Sequence, residues 1–180
     1  MFPDSLEVRL QAAEHYALYE QWRQVIDNLD RARAMVVPGD NRYRRVGLLD
    51  AELALRRGDN DYALGILENL PDMDSPDILY LMAVAYRNIG DEKSAQDRMR
   101  RLLRIDTEDE IARMFREEAL FLTARGFDED RAEAAAWHLE KGRRYEADYY
   151  YQRAYASYRR ARLLSKYDPD IWIAYTNLIS

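Results

Sequence analysis

Gly58-Asp59-Asn60-Asp61-Tyr62-Ala63 decides the fold, because the chain repeats it as Gly90-Asp91-Glu92-Lys93-Ser94-Ala95 and again as Gly142-Arg143-Arg144-Tyr145-Glu146-Ala147. Each copy has a Gly, a short polar stretch and an Ala five residues on. Each follows an apolar segment of helical period and precedes another. Gly suits the position just past a helix end, where the backbone often needs positive φ. The Ala lets the following helix approach its neighbour closely. Helix–turn–helix units recurring at roughly 32 to 38 residues are the signature of an α-solenoid. Such an array offers a surface in place of a reaction centre.

Outward from these phrases, the apolar period stays near 3.6 and no stretch alternates like a strand. Ten helices are predicted. They run from about Ser5 to Tyr19, Trp22 to Val37, Asn41 to Arg57, Asp61 to Leu70, Pro76 to Gly90 and Glu92 to Ile105. Asp106-Thr107-Glu108-Asp109 opens the next, which ends at Arg125 before Gly126-Phe127-Asp128. Another reaches Lys141, a long one runs from Arg143 to Lys166, and Asp168-Pro169-Asp170 opens Ile171 to Ser180. Pro38-Gly39, Pro71 and Pro169 sit at the boundaries, where proline and glycine belong.

The repeated residues resemble the tetratricopeptide (TPR) family. The third unit carries the pattern most fully, with Ala83, Tyr86, Gly90, Ala95, Met99 and Leu102. The second has Ala51, Ala54, Gly58, Ala63, Leu67 and Leu70. The first has Ala13, Tyr16, Glu20 in place of Gly, Val25, Leu29 and Ala32. The last full unit reads Ala135, His138, Gly142, Ala147, Tyr151 and Ala154. The resemblance implies an all-α, right-handed solenoid and a single array over 1–180. Its units would be about 5–37, 41–70, 75–105 and 128–166, with a helix inserted at 108–125 and a partial unit at 169–180. The insertion is one of two options; the other is a parity shift that re-pairs the last four segments. The fit of Gly142 to Ala154 favours the insertion.

In this family the ligand lies in the groove lined by first helices. That implies a partner-binding set of Leu10, Glu14, Leu48, Glu52, Tyr80, Val84, Arg87 and Asn88. The members that clamp a terminal carboxylate use Lys and Asn where this chain has Leu10 and Glu14, which argues against that ligand. The expected function is a non-catalytic scaffold that holds a peptide or helix of a partner protein. The alternative is a self-assembling structural scaffold within a larger envelope or secretion complex.

Composition agrees with this class. A formal net charge of −6 disfavours general binding to nucleic acid or anionic membrane. No cysteine is present, so disulfides, thiolate zinc sites and thiol nucleophiles are excluded. No apolar run approaches the roughly 20 residues of a membrane-spanning helix. His15 and His138 lie in different units and form no metal-binding motif. The acidic clusters 106–110 and 128–130 sit where helix N-termini favour acids and lack the spacing of a calcium loop. Neither metal nor cofactor is expected, and no catalytic residue. The compartment stays open: cytoplasm for a complete chain, periplasm for a piece of a larger exported one.

Two local features stand out. Tyr145, Tyr149, Tyr150, Tyr151, Tyr155 and Tyr158 place aromatic rings on two faces of one predicted helix. One face would be core and the other would pack the inserted helix, or some rings would line a binding surface. Ile171-Trp172-Ile173-Ala174-Tyr175 is too apolar for a solvent-facing cap. It predicts self-association through the C-terminal helix, or a piece cut from a longer array.

Overall fold

The computed structural model describes residues 5–122 and 128–179. Among them the chain is all-helical, with ten α-helices and no strand. These are α1 (Leu6–Leu18), α2 (Trp22–Ala34), α3 (Asn41–Arg57), α4 (Asn60–Leu67), α5 (Pro76–Asn88), α6 (Glu92–Ile105), α7 (Glu110–Leu122), α8 (Asp128–Ala147), α9 (Tyr151–Leu164) and α10 (Pro169–Ile179). The break expected at Gly126 and Phe127 lies outside the described residues. No described helix is long and apolar enough to cross a membrane. Two compact units divide the chain, residues 1–109 and 110–180.

In the first unit α1 pairs with α2, α3 with α4 and α5 with α6. The first helices of successive pairs also touch, α1 with α3 and α3 with α5, and each second helix meets the next first helix. Burial follows the 3.6 period. Leu10, Ala13 and Ala17 of α1 meet Val25, Leu29 and Ala32 of α2 and Val46 and Leu53 of α3. Ala51, Ala54, Ala63, Leu67, Ile78 and Met82 form the next cluster. Each large apolar side chain removed from water contributes roughly 1.5–3 kcal/mol. In the second unit α8 pairs with α9, α7 packs on α8, and α10 packs on α9 and α8.

Four hairpin turns share one backbone. Glu20, Gly58, Gly90 and Tyr149 are left-handed, with φ of 56°, 84°, 84° and 63°. After each, the next N–H donates to a carbonyl five residues back. The bonds are Gln21 to Tyr16 (3.0 Å), Asp59 to Ala54 (2.9 Å), Asp91 to Tyr86 (2.9 Å) and Tyr150 to Tyr145 (2.8 Å). This Schellman closure satisfies carbonyls that a helix end otherwise leaves open. Five residues past each turn residue comes a buried small side chain: Val25, Ala63, Ala95 or Ala154.

This pattern corrects the fourth unit. Gly142 is not a turn. It lies inside α8, buried, seven residues before left-handed Tyr149, as Ala13, Ala51 and Ala83 precede their own turns. A Cβ on Gly142 would stand 2.4 Å from Cε1 of Tyr158, so glycine is there for close helix approach. The helices expected to end at Lys141 and to run from Arg143 to Lys166 are instead α8, which continues to Ala147, and α9, which starts at Tyr151. Tyr149 and Tyr150 consequently belong to a turn and to no helix face.

Candidate partner-binding surface

The first helices of unit one are tied side by side by guanidinium–carboxylate bonds at their N-terminal turns. Arg45 of α3 grips Glu7 of α1 through both nitrogens, at 2.8 and 2.9 Å. Arg44 donates to both carboxylate oxygens of Asp77 on α5, at 2.6 and 2.7 Å, and to Ser75 Oγ at 2.9 Å. The hydrogen bond from Arg45 holds the Glu7 carboxyl below the usual range. For Asp77, burial pushes upward but the bonds from Ser75 and Arg44 outweigh it, and the net shift is down. The Arg45–Glu7 pair is fork-to-fork, two parallel bonds that fix geometry, whereas Arg44 reaches Asp77 and Ser75 through one nitrogen.

One and two turns further along each first helix lie the expected contact residues. Leu48, Tyr80, Val84 and Arg87 are half-buried, and Glu14, Glu52 and Asn88 are exposed. Leu10 is corrected: it is only 1% exposed, locked in the core with Val25 and Val46, and cannot touch a partner. Arg87 pairs with Glu92 of α6 at 3.5 Å. Asn88 donates to Asn60 Oδ1 at 2.9 Å.

A second feature of unit one was not anticipated. Asp50 of α3 is 3% exposed and receives bonds from Arg33 of α2 and, at 3.3 Å, from the Tyr62 hydroxyl of α4. Burial pushes its carboxyl above the usual range despite those donors. The group lines a cleft of about 260 Å³ together with Trp22, Ile26, Leu53 and Arg57 among others. Only its place in the apolar run Val46-Gly47-Leu48-Leu49-Asp50-Ala51 could have signalled it.

Unit two holds the larger surprise. On α7 the charged residues Arg113, Arg116 and Glu117 are 8%, 4% and 1% exposed, while Ile111 and Met114 are 64% and 62% exposed. Arg116 pairs with buried Asp130 of α8 and reaches Glu133 at 3.3 Å. Glu117 faces His138 Nε2 at 2.7 Å and accepts from Arg160 of α9. Burial pushes Glu117 up, but the bonds and charges of His138 and Arg160 outweigh it, leaving the carboxyl below its usual range. His138 Nδ1 has no partner among the described residues, so the ring's hydrogen bonding is spent on Glu117. Arg113 lies 4.1 Å over the Trp137 ring. Arg113, Arg116 and Glu117 of α7 thus form part of an interior. No three His, Asp or Glu among the described residues are grouped to hold a metal ion.

The tyrosines separate by role. Tyr158 is fully buried and donates to Glu146 at 2.6 Å; burial first, then that carboxylate, pushes its hydroxyl up. Tyr155 and Tyr175 share a hydrogen bond of 3.2 Å. Tyr149, Tyr150 and Tyr151 stand exposed at the turn, with Arg153 over the Tyr150 ring at 5.4 Å. On α10, Ile171 and Tyr175 are buried against α8 and α9, while Ile173 and Ile179 are each 57% exposed.

No sequence profile of a known protein family matches the chain, and no curated protein matches it in sequence. Among solved structures it is similar to a proposed protein binding protein from Bacteroides ovatus. The two share 14% identity and a TM-score of 0.49, over 98% of this chain and 97% of that one. A likeness of that degree assigns no function.

Proposed function

We propose that the protein is a non-catalytic interaction scaffold of the TPR-like solenoid class, which holds an extended segment of a partner protein along its first helices. The observation that carries this reading is the turn backbone common to four hairpins, with a small buried residue seven before it and another five after it. A chain that spends its repeats on stacking leaves the solvent-facing side of the first helices as its variable surface. In unit one that face is a mixed row: Leu48, Tyr80 and Val84 for apolar contact, Glu14, Glu52, Arg87 and Asn88 for polar contact. Such a row fits a peptide better than a small molecule, because its contacts are spread over three helices. The acidic balance speaks against nucleic acid.

The test is capture from a lysate of the source organism by the natural protein and by Tyr80→Ala and Arg87→Ala variants, with bound proteins identified by mass spectrometry. Each variant should weaken the captured interaction by about 1–2 kcal/mol without loss of helicity. Unchanged affinity in both would move the site off this face. A second reading, self-assembly, is favoured by the exposed Trp172, Ile173 and Ile179 on α10. It requires a mass that rises with concentration in light scattering and falls on Ile173→Asp.

A further inference from the structure

Resting on that reading, we infer that the segment held by the first helices of unit one is cationic, with basic residues over α1 and α3 and an apolar residue over α5. The ion pairs decide the sign. Of the cations on this face, Arg45 is occupied by Glu7 through both nitrogens, Arg44 by Asp77, and Arg87 by Glu92. Arg56 turns back to the Ala17 carbonyl oxygen at 3.5 Å. Two carboxylates remain uncompensated by a close ion pair. Glu14 and Glu52 are exposed, and each stands six residues before its left-handed turn residue, at the same level on touching helices. Glu14 acts on Arg45 only through space, with Glu7 already in the guanidinium fork. The position at that level on α5 is Val84, half-buried, one turn from half-buried Tyr80.

Spacing then follows from geometry. Neighbouring packed helices stand about 10 Å apart. An extended chain advances about 3.3 Å per residue. A segment crossing the helices therefore meets one of them about every three residues. The matching ligand has a basic residue, two intervening residues, a second basic residue, two more, and an apolar residue.

The probes are fluorescein-labelled peptides, Lys-Ser-Ser-Lys-Ser-Ser-Leu and its counterpart with Glu at both Lys positions, titrated with the full chain at low salt by fluorescence anisotropy. The Lys peptide should bind, weaken with added salt, and exceed the Glu peptide. Glu14→Gln with Glu52→Gln should weaken the Lys peptide about fivefold, the worth of two exposed ion pairs. Glu14→Lys with Glu52→Lys should reverse the preference. Both positions are exposed, so circular dichroism should not change. Tyr80→Ala should weaken the Lys peptide while leaving its advantage over the Glu peptide intact. Preference for the Glu peptide, or a preference that survives the Lys variants, overturns the cationic assignment; the groove reading then stands if Tyr80→Ala still weakens binding. Binding that no variant alters overturns both, and no binding of either peptide at millimolar protein overturns the assignment.

Discussion

Helices α1 and α7 are both 13 residues long, yet only α7 buries charge. α1 buries Leu10, Ala13 and Ala17 and shows Glu7 and Glu14 to solvent. α7 buries Arg113, Arg116 and Glu117 alongside Ala112, Ala119 and Leu120, and shows Ile111, Met114 and Phe121. The difference comes from what each packs against. α1 meets an apolar stripe of α2, whereas α7 meets Asp130, Glu133 and His138 of α8 and Arg160 of α9. Apolar burial is favourable wherever it occurs, but buried charge is tolerated only while every partner is present. The packing of α1 should therefore tolerate single polar changes better than that of α7.

Arg116→Ala should do the most to expose that difference. It leaves Asp130 buried without its main partner and should cost unit two about 3–5 kcal/mol, with α1 untouched. Residue-resolved amide exchange would show it as lost protection in α7. Combining Arg116→Met with Asp130→Leu should recover most of the loss; a double variant as unstable as the single one would sink the desolvation account. Gly142→Val comes next. The new side chain must displace the Tyr158 ring, at about 1–3 kcal/mol in denaturant melts. Gly65 of α4 has nothing within 4 Å of its missing Cβ, so Gly65→Ala in unit one should stabilise by up to about 1 kcal/mol. Equal signs for the two would mean that the close approach to Tyr158 is not what glycine serves.

At the turns, Gly90→Val should cost somewhat more than about 1 kcal/mol, because valine resists positive φ. Tyr149→Gly should gain about 1 kcal/mol or less by relieving the same strain. A neutral Gly90 variant would dissolve the equivalence of the four turns.

The smallest effect is expected from acid, and its sign differs between units. Glu117 has a lowered folded value, so its contribution is present above the ordinary carboxylate range near 4.3 and is lost as pH falls through the folded value. Asp50 has a raised folded value, so its contribution is present at low pH and lost as pH rises through that value. Urea melts at stepped pH, read from Trp22 alone and Trp137 alone in single-tryptophan variants, should diverge below pH 5 or so. Glu117→Gln should flatten the acid limb seen by Trp137 and leave that of Trp22 unchanged.

Most of unit one was legible because each of its signals has one meaning. Gly58 and Gly90 are each followed by an Asp at the helix N-cap position and then by a buried Ala, and the apolar period around them leaves no second phase. Gly142 had two meanings. Glycine serves a left-handed turn and also a close helix approach, and only the Tyr158 ring 16 residues on separates them. The turn that does exist there is made by Tyr149, a residue type that never advertises positive φ. Register put Leu48, Tyr80, Val84 and Arg87 part-way to solvent and Glu14, Glu52 and Asn88 fully there, whereas Leu10 sits deeper than its counterparts Leu48 and Tyr80. The interior of α7 was not legible at all. Arg113, Arg116 and Glu117 look like a solvated stripe until the carboxylates and imidazole that receive them are placed on α8.

Those long-range pairs also set an order of events. The α8–α9 hairpin closes through a turn of a few residues, a step that costs little chain entropy. Glu117 must find His138, 21 positions away, and Arg160, 43 positions away, on two helices already held together. Charges are also the last groups to gain from leaving water, since an incomplete clasp is worse than none. α7 should therefore dock after the rate-limiting barrier. Changes at Glu117 or Arg116 would then accelerate unfolding and leave the folding rate alone, with φ-values near zero, whereas changes at Ala154 or Tyr158 would slow folding itself.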